Sequence, residues 1–228
     1  MRSIGRVEAL ELIKVRGAEL YELLGRAGRA RLESRGASVS PCAIVNDKSG
    51  NCGQDCTFCA QSARSGATFE RYPLIPAARI VEAAREAADG GALRFGIVTS
   101  GKAIHRPEEV DVLVEAIGEI ASTLPIAPCA SLGIVGEDTL ARLAEGGLTR
   151  YHHNLETAES YWRRVCTTRP WDASVRTVEA AKALGLSVCC GGLVGLGESL
   201  EQRVELLEAI AALDVDSVPL NFLHPIEG

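Results

Sequence analysis

No apolar run of about 18 residues occurs in this chain, so a membrane-spanning helix is not expected. Nor is there a leader pattern. Arg2, Arg6 and Glu8 bring charge into the N-terminus too early for a signal peptide. Blocks of one charge sign are absent as well: the net charge of −6 comes from interspersed acids and bases, and no nucleic-acid-binding face is expected. No G-x-G-x-x-G follows the first apolar strand candidate, which removes the specific signal for a dinucleotide fold. What is present in quantity is apolar surface. With 46% hydrophobic residues in 228, the chain is expected to be globular, as one large domain or two small ones. Eight cysteines without a secretion signal point to a reducing compartment, the cytoplasm, and to metal chemistry rather than disulfides.

Three of those cysteines organise the rest. Cys52, Cys56 and Cys59 form a C-x3-C-x2-C run inside the polar, glycine-containing stretch 51–62. Three thiols cannot pair into disulfides without leaving one over. Four cysteines are the rule for electron-transfer iron–sulfur clusters. A triplet would leave one iron of a four-iron cube without a protein ligand, open for chemistry. The alternative is a zinc knuckle that takes its fourth ligand elsewhere, although such sites usually show paired C-x2-C spacings.

Around this stretch the apolar periodicity alternates. Residues 6–35 read as two short helices divided near Gly17, packing over one end or side of the main domain. From about residue 40, strand candidates at 42–46, 93–98, 126–132, 148–153, 186–194 and 217–223 are separated by helical patterns. These helices fall at 76–88, 107–122, 136–146, 158–165 with 172–184, and 199–212. The alternation implies a parallel sheet with right-handed crossovers, and its six units suit part of a (β/α) barrel. The expected fold class is α/β, an incomplete TIM-type barrel over 39–228 preceded by a helical extension over 1–38. The connection from Asp47 to Leu74 far exceeds an ordinary strand–helix loop and is expected to be functional, with cluster ligation giving it order. In a barrel it would follow the first strand at the C-terminal mouth, where active sites collect.

C-x3-C-x2-C with Phe58 before the last cysteine resembles the signature of the radical S-adenosylmethionine (SAM) enzymes, and the wider string Lys48–Arg64 is similar to the biotin synthase family. The resemblance runs from about residue 40 to the end. Family members continue for about two more units, so by this resemblance the chain looks truncated. It implies that Cys52, Cys56 and Cys59 bind a [4Fe–4S] cluster whose free iron chelates SAM. It also implies cofactor contacts from Phe58, from Ser100 with Gly101 at the methionine end, and from Asn154 and Glu156 at the ribose hydroxyls. Val194, in the stretch Gly191–Glu198, would lie beside the adenine. Without the resemblance, that stretch reads as a tight strand-to-helix turn.

Substrate contacts implied in the same way are His152, where the family has Asn, and Asn221, toward the ureido ring of dethiobiotin. Cys129 and Cys189 match two ligands of the family's auxiliary cluster, usually a [2Fe–2S]. Gly96 stands where the third cysteine is expected, and the fourth ligand, an arginine, would lie beyond residue 228. An altered auxiliary cluster using Cys42 or Cys166 is therefore open, against the reading of each as a small buried hydrophobe. The implied activity is sulfur insertion into dethiobiotin, with an electron donor such as flavodoxin or ferredoxin, and a homodimer is expected. A radical SAM enzyme of the hydrogenase-maturation type and a non-catalytic zinc-stabilised binding module are the competing readings.

Overall fold

The computed structural model describes residues 4–227. Residues 1–3, which begin the stretch read above as lacking a leader, and residue 228 lie outside it. Five strands, β1 (Cys42–Lys48), β2 (Arg94–Thr99), β3 (Ala127–Ser131), β4 (Arg150–His152) and β5 (Ser187–Cys189), form a parallel sheet in chain order. Two more, β6 (Gly192–Val194) and β7 (Leu220–Phe222), pair in parallel beside it. The two sheets are stitched by a bridge between Cys189 and Ser217 and by the Cys190 N–H donating to the Ser217 carbonyl at 3.0 Å. Helices α3 (Ala77–Asp89), α4 (Pro107–Thr123), α5 (Glu137–Glu145), α6 (Glu159–Val165), α7 (Asp172–Ala183) and α8 (Leu200–Ala212) fill the crossovers. The result is a partial (β/α) barrel. Among the described residues no helix is long and apolar enough to cross a membrane.

Local chemistry explains the boundaries. Helix α4 opens with Pro107 in its first turn, where a missing N–H costs nothing, followed by Glu108 and Glu109 against the helix dipole. Its buried residues Val110, Leu113, Ile117 and Ile120 repeat at three- and four-residue spacing, one stripe facing the sheet. Helix α8 starts with a full capping box, Ser199 accepting from the Gln202 N–H and Gln202 from the Ser199 N–H. The main core lies between the outer face of the sheet and these helices, where Phe95, Ile97, Tyr151 and Val188 meet Ile80, Leu113, Ile117, Leu140 and Leu143. Each such side chain contributes about 1.5–3 kcal/mol through burial. The inner face of the sheet is different: Cys42 is exposed and Ile44 is 71% exposed.

Two expectations are corrected. The apolar run 186–194 is two strands, because the chain changes sheets at Cys190–Gly191. A Cβ at Gly191 would collide with the Pro219 backbone, and Pro219 in turn starts β7 late, since it has no N–H to give a ladder. At the N-terminus, α1 (Arg6–Leu12) docks on α8 and adds an Arg6–Glu208 ion pair. Helix α2 (Ala18–Arg35), like α1, has no buried residue, and it leaves Leu20, Tyr21, Leu24 and Leu32 exposed.

Candidate iron–sulfur and cofactor site

The long connection between β1 and α3 is held by its own backbone and side chains. Ser49 and Tyr72 exchange antiparallel hydrogen bonds where the loop leaves and returns. Inside it, the Cys52 N–H donates to the Gln61 carbonyl at 3.0 Å and the Ala63 N–H to the Cys52 carbonyl at 2.8 Å. The Cys59 N–H reaches the Cys56 carbonyl at 3.1 Å, a turn that brings the last two cysteines together. These backbone hydrogen bonds contribute to the order of the loop.

A second anchor is remote in sequence. The Asp55 carboxylate accepts from the backbone N–H of Thr167 at 2.9 Å and of Thr168 at 3.1 Å, and from both threonine hydroxyls. The Thr167 hydroxyl first, together with the other donors, holds this carboxyl well below the usual carboxylate range. The Thr57 N–H donates to the Val165 carbonyl at 3.0 Å, so the cluster loop is clamped to the connection between α6 and α7.

The loop forms one wall of a cavity of about 410 Å³. Cys52, Cys56 and Cys59 line it together with Phe58, Ser100, His152, Asn154 and Glu156, eight positions read from the sequence and now found on one surface. Val194 and Asn221 are not among its lining residues. They stand on the β6–β7 ribbon, where the Asn221 amide donates to the Gly192 carbonyl at 3.4 Å. That ribbon meets the cavity wall through Glu156, whose carbonyl accepts from the Leu193 N–H at 2.7 Å. Only glycine fits at 192, because a Cβ there would come 2.7 Å from the Glu156 carbonyl oxygen.

Glu156 itself has φ of 67°, a left-handed backbone that a glutamate adopts at a cost and that aims its side chain into the cavity. Burial raises its carboxyl to about 7, against the lowering influence of Arg169. Asn154 is fixed beside it, accepting from the Gly191 N–H at 3.0 Å and donating to Glu156 at 3.5 Å. Sequence reading missed Arg169, a buried guanidinium that lines the same cavity. It lies over the Trp162 ring at 4.6 Å and donates to Ser174. A cation there suits an anionic ligand group. His153 was passed over for His152; it is buried with Nε2 unpartnered, and burial lowers its pKa to about 3, so it stays neutral.

Cys52, Cys56 and Cys59 line one cavity wall, which presents three thiols to a shared volume, as three-thiolate ligation of a cluster would require. Burial pushes Cys56 up to about 12 and raises Cys59, so binding of a metal or cluster there would displace their protons.

The remaining cysteines separate into two groups. Cys42, Cys129 and Cys189 belong to β1, β3 and β5, in register with Arg94, with Gly96 and Arg150, and with His152. Burial raises the Cys42 and Cys129 thiols; Cys189 and Cys42 raise them further, while Arg94 and Arg150 oppose the shift. Cys166 is not brought to them. It is buried with Trp162 and Val165 beside Cys56, its sulfur 3.4 Å from the Thr168 hydroxyl. Cys190 is fully buried in the main core.

Comparison with known proteins agrees with this geometry. Residues 48–210 match the radical SAM superfamily. The chain is 46% identical to biotin synthase of Pelobacter propionicus over 99% of its own length and 69% of that relative's. To biotin synthase of Geotalea daltonii it is 48% identical over 97% and 67%. Among solved structures, methylornithine synthase superposes with a TM-score of 0.89 at 22% identity, covering 100% of this chain and 66% of that one. HydG, a maturase of the [FeFe]-hydrogenase, does so with 0.80 at 18%, covering 98% and 52%. At such identities these two likenesses carry the fold alone. The thiol triplet, the partial barrel and the relatives together place this chain in the radical SAM superfamily, as a member of the biotin synthase family of enzymes.

Proposed function

We propose that the chain carries out the sulfur insertion that turns dethiobiotin into biotin. The observation that carries this reading is the arrangement of two thiol sets in one barrel. Cys52, Cys56 and Cys59 line the mouth cavity, and Cys42, Cys129 and Cys189 stand on β1, β3 and β5. When bound, a [4Fe–4S] cluster on the first set supplies the electron that splits SAM to methionine and a 5′-deoxyadenosyl radical, and an auxiliary iron–sulfur cluster on the second supplies sulfur.

The protein's part is to bind and orient. Cys52, Cys56 and Cys59 would hold the cluster by three thiolates, which would leave it able to take the amino and carboxylate groups of SAM. Asn154 and Glu156 are suited to the ribose hydroxyls, since an amide and a carboxylate offer the acceptors those groups need. Ser100, Phe58 and Arg169 border the same volume, Arg169 offering a buried cation to the methionine carboxylate; Val194, on the adjoining β6–β7 ribbon and outside that lining, is assigned apolar contact with the adenine. His152, kept neutral by burial, and Asn221 are the side chains assigned to dethiobiotin.

Because Gly96 has no thiol, Cys42 is the natural third auxiliary ligand. It stands one strand beyond Gly96, and it shares the electrostatic surroundings of Cys129 and Cys189. The test separates the two thiol sets. After anaerobic reconstitution, Cys129→Ala is expected to keep forming 5′-deoxyadenosine but to make no biotin. Biotin formation at the unsubstituted rate would overturn the reading, and iron and sulfide analysis distinguishes it from a zinc module.

A further inference from the structure

A second cavity, of about 580 Å³, opens on the other side of the cluster loop. Its walls come from residues 48–51 and 53, from the returning arm 71–73, and from the connection between β2 and α4. Lys48, Arg71, Lys102 and Arg106 line it against one carboxylate, Glu109, which is already paired with Lys48 at 2.6 Å. Among the described residues no carboxylate pairs with Arg71, Lys102 or Arg106; Arg71 lies instead over the Phe69 ring at 5.0 Å. On a chain of net charge −6 this is a local reversal of sign.

The patch is also close to the cluster ligands. Asn51 and Gly53, the neighbours of Cys52, form part of its wall, and Ser100–Lys102 border both this cavity and the one that holds the three thiols. Gly50 keeps the loop thin there: at φ +78, a Cβ would come 2.6 Å from the Arg71 side chain. The three unpaired cations are exposed rather than buried. An open rim of exposed cations suits the surface of an acidic protein better than it suits an enclosed small anion.

We propose that this basic rim docks an acidic one-electron carrier protein and that the backbone around Cys52 is where the electron enters. The inference rests on the radical SAM reading and names the partner of that same site. One electron leaves the reduced carrier, which is oxidised by one, and enters the cluster, which is reduced by one; no bond forms or breaks in the transfer. Complementary charge would speed encounter and make it sensitive to salt.

The test uses the reconstituted chain and an acidic flavodoxin as probe. Affinity is measured at about 50 mM and about 200 mM salt, where screening differs strongly. Arg71→Glu/Arg106→Glu is expected to weaken binding at least about tenfold and to flatten its salt dependence, as loss of a complementary rim would. Arg106→Glu alone, which leaves the Gly50–Arg71 contact intact, should move in the same direction. Reversal of Arg79 and Arg85, exposed on α3, should leave binding within about twofold, as charges outside the interface do. Unchanged affinity in the rim variants, or equal loss in the α3 control, would overturn the proposal. Dithionite-driven 5′-deoxyadenosine formation is followed alongside. If it persists while the rim variants bind normally, only the docking inference fails. If it is absent from the unsubstituted chain while rim-dependent binding remains, docking is supported and the cofactor reading fails.

Discussion

Asp47 carries a fully buried carboxylate at the end of β1, and neither of its oxygens has a hydrogen-bond partner. Burial raises its pKa from 3.8 to about 7. In that interval the folded state holds a proton that the unfolded chain has lost, so its contribution to stability falls as pH rises from about 4 to about 7. Asp47→Asn, neutral throughout, is expected to flatten this slope. Its melting temperature should gain on the parent at pH 8 and not at pH 4, with about 4 kcal/mol as an upper figure for the difference. Parallel stability–pH profiles would contradict this. At this scale the sequence was informative where chemistry is local. Cys52, Cys56 and Cys59 announce themselves by spacing, and Phe58 by its place among them. Arg169 and Asp55 were illegible because their meaning depends on groups brought near by the fold: Asp55 meets Thr167 and Thr168 from more than a hundred residues away.

Among the elements, the clamp between the cluster loop and the α6–α7 connection makes a separable demand. Asp55→Ala leaves the Thr167 and Thr168 amides without their acceptor. Iron retained after reconstitution is expected to fall by more than half while the far-ultraviolet spectrum is kept, since unsatisfied donors loosen the loop before the barrel. Iron binding equal to the parent would argue against the clamp. Gly192→Ala tests the contact between β6 and Glu156. Forcing a methyl group against the Glu156 carbonyl should cost about 1–3 kcal/mol and weaken SAM binding more than it lowers the melting temperature would suggest. The strand–helix alternation was legible because each helix has one apolar stripe and most strands are short apolar runs. The division of 186–194 into β5 and β6 was not, because both strands are apolar and the switch depends on a close approach to Pro219.

At the largest scale, and among the described residues, β1 pairs on one side only, with β2, and β7 only with β6. Ile44 and Phe222, at 71% and 75% exposure, present apolar surface beside those edges. Free parallel edges with exposed apolar residues invite pairing with other chains. A chimera that extends the 228 residues with the C-terminal strand–helix units of a biotin synthase relative is expected to melt higher and to aggregate less. Equal melting and equal monomer fraction for the two would count against this account of the open barrel. The barrel class was readable from the order of elements, whereas the exposure of its inner face follows from incomplete closure, which depends on how the strands pair in space.

The central claim is that Cys52, Cys56 and Cys59 jointly hold a cluster that cleaves SAM, with no thiol to spare. The most direct measurement is 5′-deoxyadenosine formed from SAM by the anaerobically reconstituted chain under dithionite, compared with Cys56→Ala. The account predicts formation by the parent and none above background by the variant, because two of three thiolates do not hold the cluster; Cys56→Ala/Cys166→Ala, which also removes the buried thiol that lies against Cys56, should behave the same. Undiminished cleavage by Cys56→Ala would contradict it.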